Sequence, residues 1–153
     1  MGSEFKKLVK NKELSNLFLD ISEEILNKLK SDNFLDAKND QLLFLVCIEN
    51  SLLYLADDIF ETFKYELKTI ENLNYKSKWV EISNSGVIKN IISKELDSGG
   101  FFQELDSSKS ILVREDSKQL ITTSASNDLK KFILILDKYK AFKELLRKIL
   151  DEC

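Results

Sequence analysis

The sequence predicts a mainly α-helical domain, a helical bundle with one irregular or β-hairpin insert. Three observations support this fold class. The 153-residue chain contains no proline, so none of its helices has to end or kink at one. Apolar side chains recur every three or four residues over most of the chain, as they do in amphipathic helices. A chain of this length buries roughly 68–70% of its unfolded surface, which is enough for one core.

The chain divides into a short N-terminal remnant and one domain. Residues 1–4 have the composition of a cloning remnant, an initiator methionine followed by a restriction-site junction. We expect residues 5–153 to form a single helical domain. The natural chain is then expected to begin upstream, so that a targeting signal lies outside this sequence.

The first half of the domain predicts two helices. One covers about residues 5–31, with a break near Asn11, and residues 31–40 connect it to the next. The second covers residues 40–72, and its first half is apolar on nearly every side, as expected for a central helix. The apolar stripes are Leu14, Phe18, Ile21, Ile25 and Leu29 in the first helix and Leu45, Ile48, Leu52, Leu55, Ile59, Phe63, Leu67 and Ile70 in the second.

The second half predicts shorter elements and a long final helix. A short segment surrounds Trp79, and a helix over 84–96 ends at the glycine pair 99–100. β-Branched residues alternate at 110–123, which favours a small hairpin there, with helix as the alternative. Asn127 or Asp128 is expected to cap a last helix that runs to about residue 150. Its stripe is Leu129, Phe132, Leu136, Tyr139, Leu146 and Leu150.

Charge and composition exclude or disfavour several classes of protein. The chain has 23 Lys and Arg against 26 Asp and Glu, a net charge of −3, and lacks the basic excess typical of nucleic-acid binding. Its longest apolar run, residues 42–48, is far shorter than the roughly 18 residues of a membrane span. Cys47 lies in that run and is predicted to be a buried free thiol, with a disulfide to the terminal Cys153 as the alternative.

Catalytic chemistry is restricted because the chain has no histidine. Ser-His-Asp and Cys-His arrangements and imidazole metal sites are therefore excluded. The acidic stretch "ADDIFE" resembles the aspartate-rich magnesium motif of isoprenoid synthases, but no second acidic motif accompanies it. Helical spacing places Asp57 and Glu61 opposite the apolar stripe, and Asp58 adjoins them on the chain, so we interpret the three as a solvated face. A magnesium-dependent helical enzyme stays the third functional alternative, and we predict no cofactor.

Four residues are candidates for contact with a partner protein. The stretch "DSGGFFQELDSS" (97–108) follows a helix and lacks the lysine of a phosphate-binding loop, so its phenylalanines are either core residues or an exposed sticky loop. We expect at least one of Phe101 and Phe102 to be buried. Trp79 is also expected to be a core residue, although tryptophan is enriched at binding hot spots, and Arg114 is the fourth candidate.

The basic residues of the final helix offer another possible surface. They form either a basic strip or, as we prefer, the solvated face of an amphipathic helix. These residues are Lys130, Lys131, Lys138, Lys140, Lys143, Arg147 and Lys148.

The stretches "ENSLLYLADDIFETFKYEL" and "SKWVEISNSGVIKNIISKELDSGG", within residues 49–100, resemble the C-terminal helical domains of Lyme-disease spirochaete surface lipoproteins, particularly the Erp/Elp group. The resemblance implies a non-enzymatic, extracellular domain that is held at the cell surface by a lipidated cysteine upstream. It also implies a host serum protein as partner, such as the complement proteases C1r and C1s, and a role in immune evasion. The second alternative is an intracellular helical module for protein interaction or dimerisation.

Overall fold

The computed structural model describes residues 10–62, 74–84, 86, 88–116 and 127–152, and this part of the chain is mainly α-helical, as predicted. It contains no strand in the described ranges. Six α-helices and one 3₁₀ turn (Phe34–Asp36) occur there. The helices are α1 (Asn11–Ser31), α2 (Lys38–Thr62), α3 (Tyr75–Ile82), α4 (Lys89–Leu96), α5 (Phe101–Asp116) and α6 (Leu129–Glu152).

The first two helices form an antiparallel pair joined by the 3₁₀ turn. The Gln41 side chain closes this connection, since its Nε2 donates to the Phe34 carbonyl over 2.6 Å. Helix α2 packs against α1, α3 and α5 and is the central helix that its all-round apolar first half predicts. Its Cys47 is buried, and burial raises the pKa of the thiol. The expected continuation of α2 through residues 63–72 lies outside the described residues.

Helix α3 packs against the second half of α2, and α4 packs against α3 and α5. The Asn74 side chain caps α3 by accepting a hydrogen bond from the backbone N–H of Lys76 over 2.8 Å. Trp79 is fully buried, and its indole N–H donates to the Leu52 carbonyl of α2 over 3.1 Å. Helix α4 ends at Leu96, so the glycine pair forms the turn after it. Gly99 has a φ of +94°, a conformation that glycine adopts without strain.

Helix α5 corrects two expectations about the sequence after the glycines. Phe101 and Phe102 do not lie in a loop, because they form the first turn of this helix. The hairpin expected over 110–123 is wrong for 110–116, which continue α5, and the remainder lies outside the described residues. Ile111 and Leu112 are buried while Val113 is 59% exposed, a pattern of helical spacing and not of alternation.

Helix α6 completes the core. Asp128 is its cap, since the side-chain Oδ1 accepts from the Lys131 backbone N–H over 2.8 Å. The other candidate cap, Asn127, is buried and donates to the Ser108 carbonyl of α5 over 3.0 Å. Asp128 therefore caps the helix, and Asn127 fixes its start against α5. The helix buries Phe132, Ile135, Leu136, Tyr139, Phe142 and Leu146.

Candidate binding groove

Three of the four candidate contact residues lie in the interior of the bundle. Trp79 and Phe101 are 0% exposed and Phe102 is 1% exposed. The ring centroids of Phe101 and Phe102 are 4.6 Å apart, and Phe142 of α6 lies 5.2 Å from Phe101 and 5.4 Å from Trp79. These side chains form an aromatic core, so none of the three reaches a partner in this conformation.

Arg114, the fourth candidate, is exposed near the end of α5 and lines a groove. The groove has a volume of about 880 Å³ and lies where α2, the start of α3 and α5 meet. It is lined by Glu49, Asn50 and Leu53 of α2, by Asn74, Tyr75 and Lys76 at the start of α3, and by Asp106, Lys109, Ser110, Val113 and Arg114 of α5.

Apolar groups line part of this groove. Leu53 is half-buried, and Val113 on the opposite wall is 59% exposed. The Tyr75 ring stacks on Phe102 at 6.0 Å between centroids, with 17° between the ring planes. Because Phe102 is itself fixed in the aromatic core, Tyr75 is a rigid part of the groove.

Charged side chains on the groove walls are paired across helices. Lys109 of α5 donates to Glu49 of α2 over 3.0 Å, and Lys76 of α3 forms an ion pair with Asp106 of α5. These pairs link the three walls of the groove. Ion pairs near a protein surface contribute little free energy, so neither pair adds much to the stability of the domain.

The hydroxyl of Tyr75 contributes a polar group to the groove. Its hydroxyl lies 3.4 Å from Asp106 Oδ1, to which it donates. Burial raises the pKa of Tyr75, and the carboxylates of Asp106 and Glu49 raise it further. The phenol therefore stays protonated at neutral pH and presents an apolar ring with a polar edge, a side chain typical of interfaces.

The acidic residues of α2 do not form a metal centre with one another. Asp57 forms an ion pair with Lys78 of α3. Asp58 is half-buried and Glu61 is exposed. Across the described ranges, no three His, Cys, Asp or Glu side chains come close enough together to hold a metal ion.

Several lysines of α6 bond to other parts of the bundle, so they do not form one continuous basic strip. Lys140 pairs with Glu23 of α1 over 2.7 Å, and Lys138 donates to the Gly99 carbonyl over 3.2 Å. Lys143 is turned toward α1, where it contacts Ser15 and Asn16.

Arg114 is the one groove residue that the sequence analysis named as a candidate, and the other groove residues were missed. Its walls come from three segments that are far apart along the chain, and helical periodicity describes one helix at a time. One pattern within α5 could have indicated the groove. Asp106, Lys109 and Val113 are spaced by three and four residues. In a helix this spacing places an acidic, a basic and an apolar side chain on one face.

Comparison of the chain with models of known families, with curated proteins and with solved structures finds no match. Among the helices that the structure describes, none combines the length and apolar character that crossing a membrane requires.

Proposed function

We propose that this domain is a non-enzymatic protein-binding module and that the groove between α2, α3 and α5 is its contact surface. The observation that carries the proposal is the composition of the groove. The Tyr75 ring is stacked on Phe102 of the core, and Leu53 and Val113 supply apolar side chains on two walls. Charged side chains that form ion pairs, such as Lys109 with Glu49, lie beside them. Interfaces combine an apolar centre with a polar rim in the same way, and tyrosine and arginine are enriched at their hot spots.

The family resemblance supports a partner for this groove. The resembling stretches, 49–67 and 77–100, include the groove residues of α2, and the groove residues at the start of α3 lie between the two stretches. We therefore propose that the protein is a bacterial surface lipoprotein, anchored through an upstream lipidated cysteine, whose domain binds the host complement proteases C1r or C1s and thereby serves immune evasion.

Surface plasmon resonance against purified C1r and C1s tests the partner, and a matched pair of variants tests the surface. Val113→Glu places a charge in the groove, whereas Leu134→Glu places the same charge on α6, at a leucine that is 44% exposed. We expect Val113→Glu to weaken binding at least tenfold, as the loss of a hot-spot contact does, and Leu134→Glu to leave it unchanged.

Absence of binding to both proteases would contradict the complement assignment. If Leu134→Glu weakened binding and Val113→Glu did not, the partner would stand and the groove would be excluded as the contact surface. Melting temperatures of both variants close to that of the parent establish that binding, and not folding, has changed, because both side chains are largely exposed.

A further inference from the structure

Two buried polar atoms lie at the junction of α5 and the start of α6 and have no hydrogen-bond partner among the residues that the structure describes. They are the side-chain oxygens Ser108 Oγ and Asn127 Oδ1. Ser108 lies in the middle of α5 and is 0% exposed, and Asn127 lies two positions before α6 and is 4% exposed. An unpaired polar atom destabilises the folded state when it is buried, so such atoms nearly always bind a partner.

The two residues are hydrogen-bonded to each other through other atoms. Asn127 Nδ2 donates to the Ser108 carbonyl over 3.0 Å. A carbonyl oxygen can only accept, so this bond also fixes which end of the Asn127 amide faces α5. The two unpaired oxygens therefore belong to one bonded pair of residues, and we looked for a single molecule that satisfies both.

The chemistry of the two oxygens defines the class of that molecule. Asn127 Oδ1 can only accept a hydrogen bond, whereas the Ser108 hydroxyl can donate one. A molecule that serves both must donate a proton to the amide oxygen and accept one from the hydroxyl. Both oxygens are closed to solvent, so the molecule must also be small.

Ions do not fit this pair of oxygens. An anion accepts hydrogen bonds and would be repelled by Asn127 Oδ1, which has no proton to give. A metal ion such as Mg²⁺ or Ca²⁺ takes about six to eight oxygen ligands. Within the described ranges, no three acidic side chains, cysteines or histidines come together to supply them. The positive end of α6, which Asp128 caps, also disfavours a cation.

We propose that one buried water molecule binds here and bridges Ser108 to Asn127. The water donates one O–H to Asn127 Oδ1 and accepts the proton of the Ser108 hydroxyl. A buried water typically has about two to four polar partners, and these two side chains meet that requirement. The water then joins α5 to the start of α6 beside the direct bond from Asn127. This site is separate from the groove and does not depend on the proposed function.

A crystal structure at a resolution that orders buried water tests the proposal directly. We expect one water oxygen about 2.5–3.0 Å from both Ser108 Oγ and Asn127 Oδ1. A protein group bonded to either oxygen in place of water would overturn the proposal. For Ser108 the obvious competitor is the carbonyl of Glu104, one helical turn earlier.

The variant Ser108→Ala tests the site in solution, because a bridging water and an unpaired hydroxyl predict opposite changes. If the hydroxyl had no partner, alanine would remove a buried unpaired group and raise the melting temperature. If the water is bound, alanine removes one of its two partners and weakens the bridge. We expect the melting temperature to fall by about 2–4 °C, the effect of one lost hydrogen bond in a domain of this size.

Ser110→Ala is the control for helix propensity, since alanine favours helix more than serine at either position. Ser110 lies in the same helix and its side chain is exposed. We expect this variant to keep or raise the melting temperature of the parent. If Ser108→Ala melts at or above the temperature of Ser110→Ala, the bridging water is refuted.

Discussion

At the scale of single residues, the aromatic core makes the strongest stability prediction. Phe101 and Phe102 are almost completely excluded from solvent and contact each other, with Tyr75, Trp79, Tyr139 and Phe142 around them. We expect Phe101→Ser and Phe102→Ser, made separately, each to lower the free energy of unfolding by about 3–5 kcal/mol or more. Chemical denaturation measures this loss. As a control, Val113→Ser on the exposed face of the same helix should change stability by less than about 0.5 kcal/mol.

The lowered pKa of Lys143 predicts how the free energy of unfolding depends on pH. Its pKa is about 8 in the folded protein and near 10.5 when unfolded, so between these values the unfolded state binds more protons. The free energy of unfolding should therefore rise with pH in this window relative to Lys143→Met, which has no titrating group. Denaturant titrations of both proteins from pH 7 to 9.5 measure the difference.

A difference between the two proteins that is constant with pH would contradict this account of Lys143. The upper limit of pH 9.5 matters because burial also raises the pKa of Tyr139 and Tyr75. Those tyrosines ionise first in the unfolded state, so both proteins lose stability above pH 10.

At the scale of elements, the turn between α4 and α5 leaves no room for a side chain at Gly100. A Cβ on Gly100 would lie 2.1 Å from the Glu95 carbonyl oxygen, so a side chain forces the two helices apart. We expect Gly100→Ala to cost about 1–3 kcal/mol or more in thermal or chemical denaturation. Gly86→Ala is the matched control, since no atom of the residues that the structure describes lies within 4 Å of its Cβ position, and it should change stability by less than about 0.5 kcal/mol. Equal losses of stability in both variants would contradict a steric clash between a side chain at Gly100 and the Glu95 carbonyl oxygen.

The helices were predictable where one face carries a regular apolar stripe. Helix α1 follows from such a stripe, and the side chain of Asp128 identifies the start of α6. The central position of α2 follows instead from its first half, which is apolar on nearly every side. The hairpin alternative failed at 110–116 because β-branched residues are compatible with helix when a neighbouring element buries the right positions. Contacts with the rest of the bundle, and not propensity, decided that Ile111 and Leu112 are inside and Val113 outside.

At the scale of the whole molecule, the surfaces were less predictable than the core. Phe101 and Phe102 were expected to include a core residue, and both are buried. Lys143 was expected on a solvated face, yet it is held by Ser15, a residue more than a hundred positions earlier. The groove has the same origin, since Glu49, Lys76 and Asp106 become neighbours only through the packing of three helices. No pattern within a single segment of the sequence predicts which side chains of different helices come into contact.

The most direct test of the proposed function is amide hydrogen exchange of the domain alone and in complex with purified C1r or C1s. Our account predicts that binding slows exchange in the residues that line the groove, 49–53, 74–76 and 106–114. It also predicts that the exposed face of α6 around Leu134 and Leu145 exchanges as before. Protection confined to α1 and α6, with the three groove segments unchanged, would contradict the groove as the binding surface.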